Sequence, residues 1–458
     1  MNIGIISINA HTKVLNFASP LHTFVFQQFL LDHGIDSTII DYKPVYYGKF
    51  DVRHPLDYYL EHPDKNPKKQ QRLVKRWTEL YDDREYRFDR FEDFIDHHYI
   101  RTSECYDPWL LDEKDPGFDC YICVTDVIWK LNKNSGFDKG FFLACKAMDG
   151  KKKIAYAPSR GATTYNKVRE REFLSYISDF DYLSAREDSF CDYMQGITGL
   201  DVPHVIDPVF LEDREFYEKL AIAPDEKHRP KKKFVLLYVV MEKNKDVVKK
   251  AVRYAEENDL DVIELSENYE NADIPEGTHH KVFYDLGVEE WLWYLLNCES
   301  IFTNSFHACC FSIIFHKSFF AGARAGDKID SLLRMFGLEW RRVKDDASLE
   351  TVMNMPPVDF EEVDKLRYGY VKSSSDYILG AIQDLEQRDH KPLISGQEYE
   401  SLMHKYDDAE EVVAKEEEQR AREAQRKAAA KELEKKKKAR KKSLPYRALR
   451  KIKRMIIK

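Results

Sequence analysis

The run Thr303-Asn304-Ser305-Phe306-His307 holds the residues in this sequence best suited to chemistry. It follows the apolar pair Ile301-Phe302 and opens an almost wholly apolar stretch that ends at Phe315. A buried strand end, a tight turn and a helix apolar on every side account for that pattern. The start of such a helix, at Asn304-Ser305, presents unpaired N–H groups and a positive dipole end, which suit a phosphate or carboxylate. His307 then sits in the first turn, and histidine is the side chain that exchanges protons near neutral pH. A capping or core histidine would leave the same trace. Downstream, the loop Gly322–Lys328 carries Arg324 and Lys328, which either neutralise an anion beside His307 or stand as solvated loop charges. Asn304, Ser305, Arg324 and Lys328 therefore form one candidate anion-binding set around one candidate acid.

Other polar residues fall at strand ends. Asn16 lies in the first loop, where it could touch a substrate or brace the loop. Asp126 and Trp129 follow the strand Cys120–Val124; Asp126 could hold or deprotonate a sugar hydroxyl or cap a helix, and Trp129 would cover or border that loop as a further acceptor contact. Arg186 is an anion contact or the partner of Glu187 or Asp188. Cys120 and Cys123 form one CxxC within a strand, whose alternation sends them to opposite faces, so no metal site is expected.

The elements that must position these residues alternate strand and helix. Ile3–Ile8, a polar loop, a helix from Thr23 to His33, Gly34 and the strand Ser37–Asp41 make the opening unit of a parallel α/β sheet. Strands at Cys120–Val124, Lys153–Ala157 and Tyr182–Ser184 continue it to Asp207-Pro208. The stretch 46–110 reads as a helical insertion, dense in charge and aromatics, that packs on this domain and could cover its cleft. Residues 212–232 read as a linker. Phe234–Val240 opens a second Rossmann-like domain over 233–350, closing helices over 357–405, with Phe360–Gln387 read as two of them, finish the body, and 406–458 is a charged helical tail. The expected fold is α/β, two Rossmann-like domains facing a cleft.

Length, charge and cysteine use narrow the class. The 458 residues exceed one ordinary core. Thirteen Lys or Arg and no acid lie between Lys435 and Lys458, so a net charge of −8 leaves −21 for the remainder. Tyr446–Lys458, with Leu449, Ile452, Met455, Ile456 and Ile457 among basic residues, is a basic amphipathic helix suited to an anionic membrane surface. Nucleic acid, the other common partner of such tails, fits an acidic body poorly. Eight scattered cysteines suggest reduced cytosolic thiols. Neither a signal sequence nor a membrane-spanning run is visible, so the expected location is the cytoplasmic face of the plasma membrane.

As a set, these stretches resemble the polysaccharide pyruvyl transferase family. Residues 16–22, NFASPLH, are similar to its N-Y-G-A-x-L-Q loop, and residues 119–129, DCYICVTDVIW, to D-x-x-x-x-G-S-D-Q-x-W. Tyr156–Gly161 resembles Y-A-x-S-x-G, Leu183–Glu187 resembles L-S-x-R-E, Asp207-Pro208 its D-P, and residues 303–307 the block T-N-S-F-H-G. The resemblance implies a fold like that of GT-B glycosyltransferases, phosphoenolpyruvate as co-substrate with no cofactor, and a sugar or lipid-linked glycan precursor of the cell surface as acceptor. It implies His307 as acid/base, Lys328 and the helix start at Asn304-Ser305 on the donor, and Asn16 and Asp126 on the acceptor. The chain departs from the family pattern at His22, Val124, Thr125, Val127 and Ala308, and Ser305 stands where some members have arginine. A glycosyltransferase using a nucleotide sugar, or a non-catalytic binder of glycan intermediates, are the other readings.

Overall fold

The computed structural model describes residues 1–8, 11–12, 14–48, 50–240, 244–265, 279–344, 348–423, 425–427 and 435. Short apolar runs make its strands. β1 (Ile3–Ser7), β2 (Ser37–Tyr42), β3 (Arg101–Tyr106), β4 (Cys120–Asp126) and β5 (Lys152–Pro158) pair in the order β3-β2-β1-β4-β5, all parallel. β6 (Phe234–Tyr238), β7 (Asp261–Leu265), β8 (His280–Phe283), β9 (Ser300–Thr303) and β10 (Ser318–Ala321) pair as β10-β9-β6-β7-β8, again parallel. β1, β4, β6 and β9 are buried along their whole length, as parallel strands covered by helices on both faces must be. Each sheet changes direction of winding beside its first strand, so each offers a crevice at its carboxyl edge. The two Rossmann-like halves are as the sequence implies.

The halves share one core. Phe17, in the loop after β1, stacks on Trp291 of the second half at 5.6 Å and 10°. The buried guanidinium of Arg87 lies 4.2 Å over the Phe17 ring and donates to the Leu15 carbonyl at 2.5 Å. Arg87 belongs to the helix Tyr81–His98, the last of three helices in the insertion. That helix also buries Phe91, Phe94 and Ile95, so the insertion is fixed beneath the loop that leads to Asn16. It is not a cover over the cleft.

Three further expectations change. Residues 212–232 are not a plain spacer: the helix Arg214–Leu220 buries Tyr217, whose hydroxyl donates to the Val209 carbonyl at 2.7 Å and whose ring meets Phe311 edge-on at 4.9 Å. Phe360–Gln387 is one helix of 28 residues rather than two; Gly369 and Gly380 are absorbed because Ser374, Ile378, Ala381 and Leu385 keep a continuous buried stripe. Tyr182–Ser184 makes only a single bridge to Ile154, not a strand.

Contacts divide the chain into a large unit, Met1–Thr164 with Tyr176–Ser395, and a small one, Tyr165–Ser175 with Gly396–Lys458. In the small unit the Tyr406 hydroxyl donates to Glu170 at 3.0 Å, and the Lys167 ammonium stands 5.3 Å from the Tyr406 ring. Helical turns then run over 409–423 with four-residue ion pairs such as Arg420–Glu416 at 3.5 Å. The expected basic amphipathic end at Tyr446–Lys458 lies outside the described residues.

Candidate active site

The turn after β9 is built by side chains that replace missing backbone partners. The Thr303 hydroxyl donates to the Tyr238 carbonyl at 2.5 Å and accepts from the Ser305 N–H at 2.9 Å. The Asn304 amide accepts from the Val240 N–H at 2.7 Å and donates to the Val240 carbonyl at 3.1 Å. Ser305 caps the helix Phe306–Ile314 by accepting from the Ala308 N–H at 3.4 Å. These bonds tie the ends of β6 and β9 together and aim His307 at the other half.

A cavity of about 1080 Å³ opens there, walled by loops at the carboxyl ends of both sheets. Asn16 and Asp126 line it from the first half; Ser305, His307, Arg324 and Lys328 line it from the second. Among the described residues of the 46–110 stretch, only Tyr46 is in its wall. Asn304 is fully buried behind the wall, with both ends of its amide engaged by Val240. Its contribution is to hold the helix start rather than to reach an anion. Asn16 accepts from the Ala18 N–H at 3.1 Å while bordering the cavity, so its bracing and cavity-facing readings hold together.

Beneath His307 lies a buried ionic cluster. Arg186 donates to Asp207 at 2.8 Å, to Asp126 at 3.1 Å and to Glu187 at 3.2 Å, and its guanidinium covers the Phe306 ring at 4.2 Å. Lys328, the first residue of the helix Lys328–Met335, places its ammonium 3.5 Å from the same Asp126 oxygen that Arg186 holds. His307 Nε2 stands 3.6 Å from Asp207 Oδ2, an ion-pair separation that is long for a hydrogen bond. Among the described residues, Nε2 has no hydrogen-bond partner. Three carboxylates face two cations in this cluster, and His307 stands beside it at the cavity wall.

Electrostatics sort these groups. Burial alone would raise Asp126, but Lys328, Arg186 and His307 hold it well below the usual carboxylate range. Burial opposes ionisation of Asp207 too, and His307 and Arg186 again outweigh it. Burial pushes Glu187 up despite Arg186. Lys328 is lowered by burial, with Arg324 and Arg186 adding to the effect and Asp126 opposing it. Desolvated cations beside a cavity attract an anion more strongly than solvated ones.

The backbone of this site is strained. Thr125 and Asp126 have φ of 43° and 55°, and Asp126 has ψ of −158°, a region nearly reserved for glycine. The Thr125 hydroxyl donates to the Ala157 carbonyl at 3.1 Å, and the Asp126 carbonyl accepts from the Ser159 N–H at 2.8 Å. Such a turn costs about 1–3 kcal/mol per residue and presents the Asp126 carboxylate to the cavity.

Two further sequence expectations change here. Trp129 does not face an acceptor: it is fully buried, donates from its indole to the Phe141 carbonyl at 3.0 Å and stacks on Phe142 at 5.1 Å. Arg186 is an internal clamp and does not line the cavity. Conversely, Asp207 and His22 join the site, although the sequence marks the first only as the end of a domain and the second only as a departure from the family loop. The His22 ring stacks on His307 at 5.6 Å, and burial together with His307 lowers it from 6.5 to about 3. The D-P pair and the second histidine were visible in the sequence, but their convergence required the fold.

Two facing Rossmann-like halves, with a buried acid–base cluster at a cavity between their strand ends, define the class of two-lobed group-transfer enzymes. The family profile of polysaccharide pyruvyl transferase matches residues 23–322. The chain belongs to the polysaccharide pyruvyl transferase family and is a transferase. A search of curated proteins returned no match. Among solved structures, UDP-GlcNAc 2-epimerase from Neisseria meningitidis is similar with a TM-score of 0.45 and 10% identity over 84% of this chain and 100% of that one. The Methanocaldococcus jannaschii UDP-GlcNAc 2-epimerase gives a TM-score of 0.42 and 12% identity over 84% and 100%.

Proposed function

We propose that this enzyme transfers the pyruvyl group of phosphoenolpyruvate to two hydroxyls of a sugar in a cell-surface glycan precursor, forming a ketal. The observation that carries the reading is that His307, Arg324, Lys328 and Asp126 line one cavity. Phosphoenolpyruvate brings a phosphate and a carboxylate, and Arg324, Lys328 and the Ser305-capped helix start offer the charge to hold them. His307 gives a proton to C3 of the enol as one sugar hydroxyl adds at C2, and that hydroxyl's own proton passes to the phosphate. Phosphate then leaves, the second hydroxyl adds at C2, and its proton passes to solvent or back to the ring. Asp126, kept ionised, accepts a hydrogen bond from an acceptor hydroxyl, and Asp207 steadies the ring's charged form.

Thermal shift tests the donor directly. Phosphoenolpyruvate at about a hundred times its dissociation constant stabilises by roughly 2.7 kcal/mol, and nucleotide sugars at equal concentration leave the transition unmoved. Phosphate release with lipid-linked sugars completes the test. Stabilisation by nucleotide sugars alone, with no phosphate released, overturns the reading.

A further inference from the structure

Outside the cavity wall, three donor atoms of different chemistry meet at the carboxyl edge of the first sheet. Asp41 of β2 and Cys105 of β3 are register partners in a parallel pair, just past a shift between Ile39 and Asp41, so their side chains leave the same face side by side. His11, four residues beyond β1, swings over them. Its Nε2 lies 2.8 Å from Asp41 Oδ1 and 3.4 Å from Cys105 Sγ, and the three donor atoms all fall within 4.8 Å of one another. Donors around a tetrahedral zinc ion, at bond lengths of about 2.0–2.3 Å, stand roughly 3.3–3.8 Å apart. The trio is within a small adjustment of that spacing.

Hydrogen bonding accounts for the trio poorly. One ring nitrogen carries at most one proton, yet a carboxylate oxygen and a sulfur both aim at Nε2. A nucleophilic relay would place the carboxylate on Nδ1 and the thiol on Nε2, so a catalytic cysteine triad is not what is built here. A cation at the centre satisfies all three atoms together. We propose that His11, Asp41 and Cys105 form a three-ligand site for a borderline-soft divalent cation, zinc in the first instance, with water in the fourth position. On binding, the Cys105 thiol releases its proton to solvent and the ring offers its lone pair. Arg101, 3.8 Å from Asp41 Oδ2, occupies the oxygen the cation leaves over, and the Tyr47 ring meets His11 edge-on at 5.7 Å. Cys105 is exposed, so the ion reaches the site from solvent. None of the three lines the catalytic cavity, but Thr12, Val14 and Asn16 in the same loop as His11 do. An ion held there fixes the loop that presents Asn16.

Cobalt titration of the full chain, stripped by chelator, tests the site. The expected result is a thiolate-to-cobalt absorption band that saturates at one equivalent, disappears on adding zinc, is absent in Cys105→Ser, and needs at least about tenfold more metal in His11→Gln. Absence of the band, or equal binding by all variants, overturns the proposal. A second measurement uses the unaltered protein. Cys105 is exposed and the other seven cysteines are buried, so iodoacetamide labels it first. Zinc slows that labelling at least about tenfold if the thiolate is a ligand; an unchanged rate overturns the site whatever the variants do.

Discussion

At the scale of single residues, groups that touch one another differ in how their environment shifts them. Lys328 is lowered by burial and by its neighbours Arg324 and Arg186, so it loses its charge at a lower pH than an ordinary lysine. Donor affinity is therefore full while Lys328 is charged and falls as pH rises through that lowered value. Lys328→Met raises the KM for phosphoenolpyruvate at least about tenfold, from loss of one charge-assisted contact worth about 1.5–3 kcal/mol, and flattens the alkaline fall in affinity. Initial rates across the alkaline range check both. His22 gives a prediction of opposite sign. Its folded value lies below its unfolded one, so its stabilising contribution is complete above 6.5 and is lost as pH falls toward about 3. Between pH 7 and 5 His22→Gln loses about 2 kcal/mol less stability than the unaltered protein, measured by denaturant unfolding at both pH values. Asp207→Asn, which removes the shortest of the three carboxylate contacts of Arg186, costs about 1.5–3 kcal/mol in the same experiment at pH 7.

At the scale of elements, the strands with continuous apolar runs could be read from sequence, and the polar edge strands could not. Ile3–Ser7 and Cys120–Asp126 are buried throughout and declared themselves. β3, Arg-Thr-Ser-Glu-Cys-Tyr, buries only Tyr106 and sits at a sheet edge, so it carries little pattern and was absorbed into the insertion. The turn after β9 was legible because cap residues, strand and apolar helix are adjacent in sequence. The ionic cluster below it was not, since Asp126, Arg186 and Asp207 come from three distant loops and each alone resembles a cap or a surface pair. Trp129 misled because a tryptophan beside a site loop looks like a platform, whereas its indole bonds to Phe141 in the core. Trp129→Ala is accordingly a stability variant: it costs about 3–5 kcal/mol, and Trp129→Phe leaves the KM for acceptor within about twofold, both measurable on purified protein.

At the scale of the whole molecule, two sheets meeting over one cavity explain why the residues that line it are spread from Asn16 to Lys328. Among the described residues, no helix is long and apolar enough to cross a membrane. The basic segment beyond Lys435 is proposed to hold the acidic body at an anionic membrane surface, each Lys or Arg near the surface contributing about 1 kcal/mol. Liposome flotation compares the intact chain with one ending at Glu434: the intact chain floats with anionic vesicles and the shorter one stays below, whereas equal behaviour removes that role. The central claim concerns His307 and a bound three-carbon acid, and transfer in heavy water tests it most directly. The account predicts that the unaltered enzyme places one deuterium in the methyl group of the ketal, and that His307→Asn still binds phosphoenolpyruvate but transfers it at least about a hundredfold more slowly. Equal rates for the two proteins, or a ketal methyl without deuterium, would contradict it.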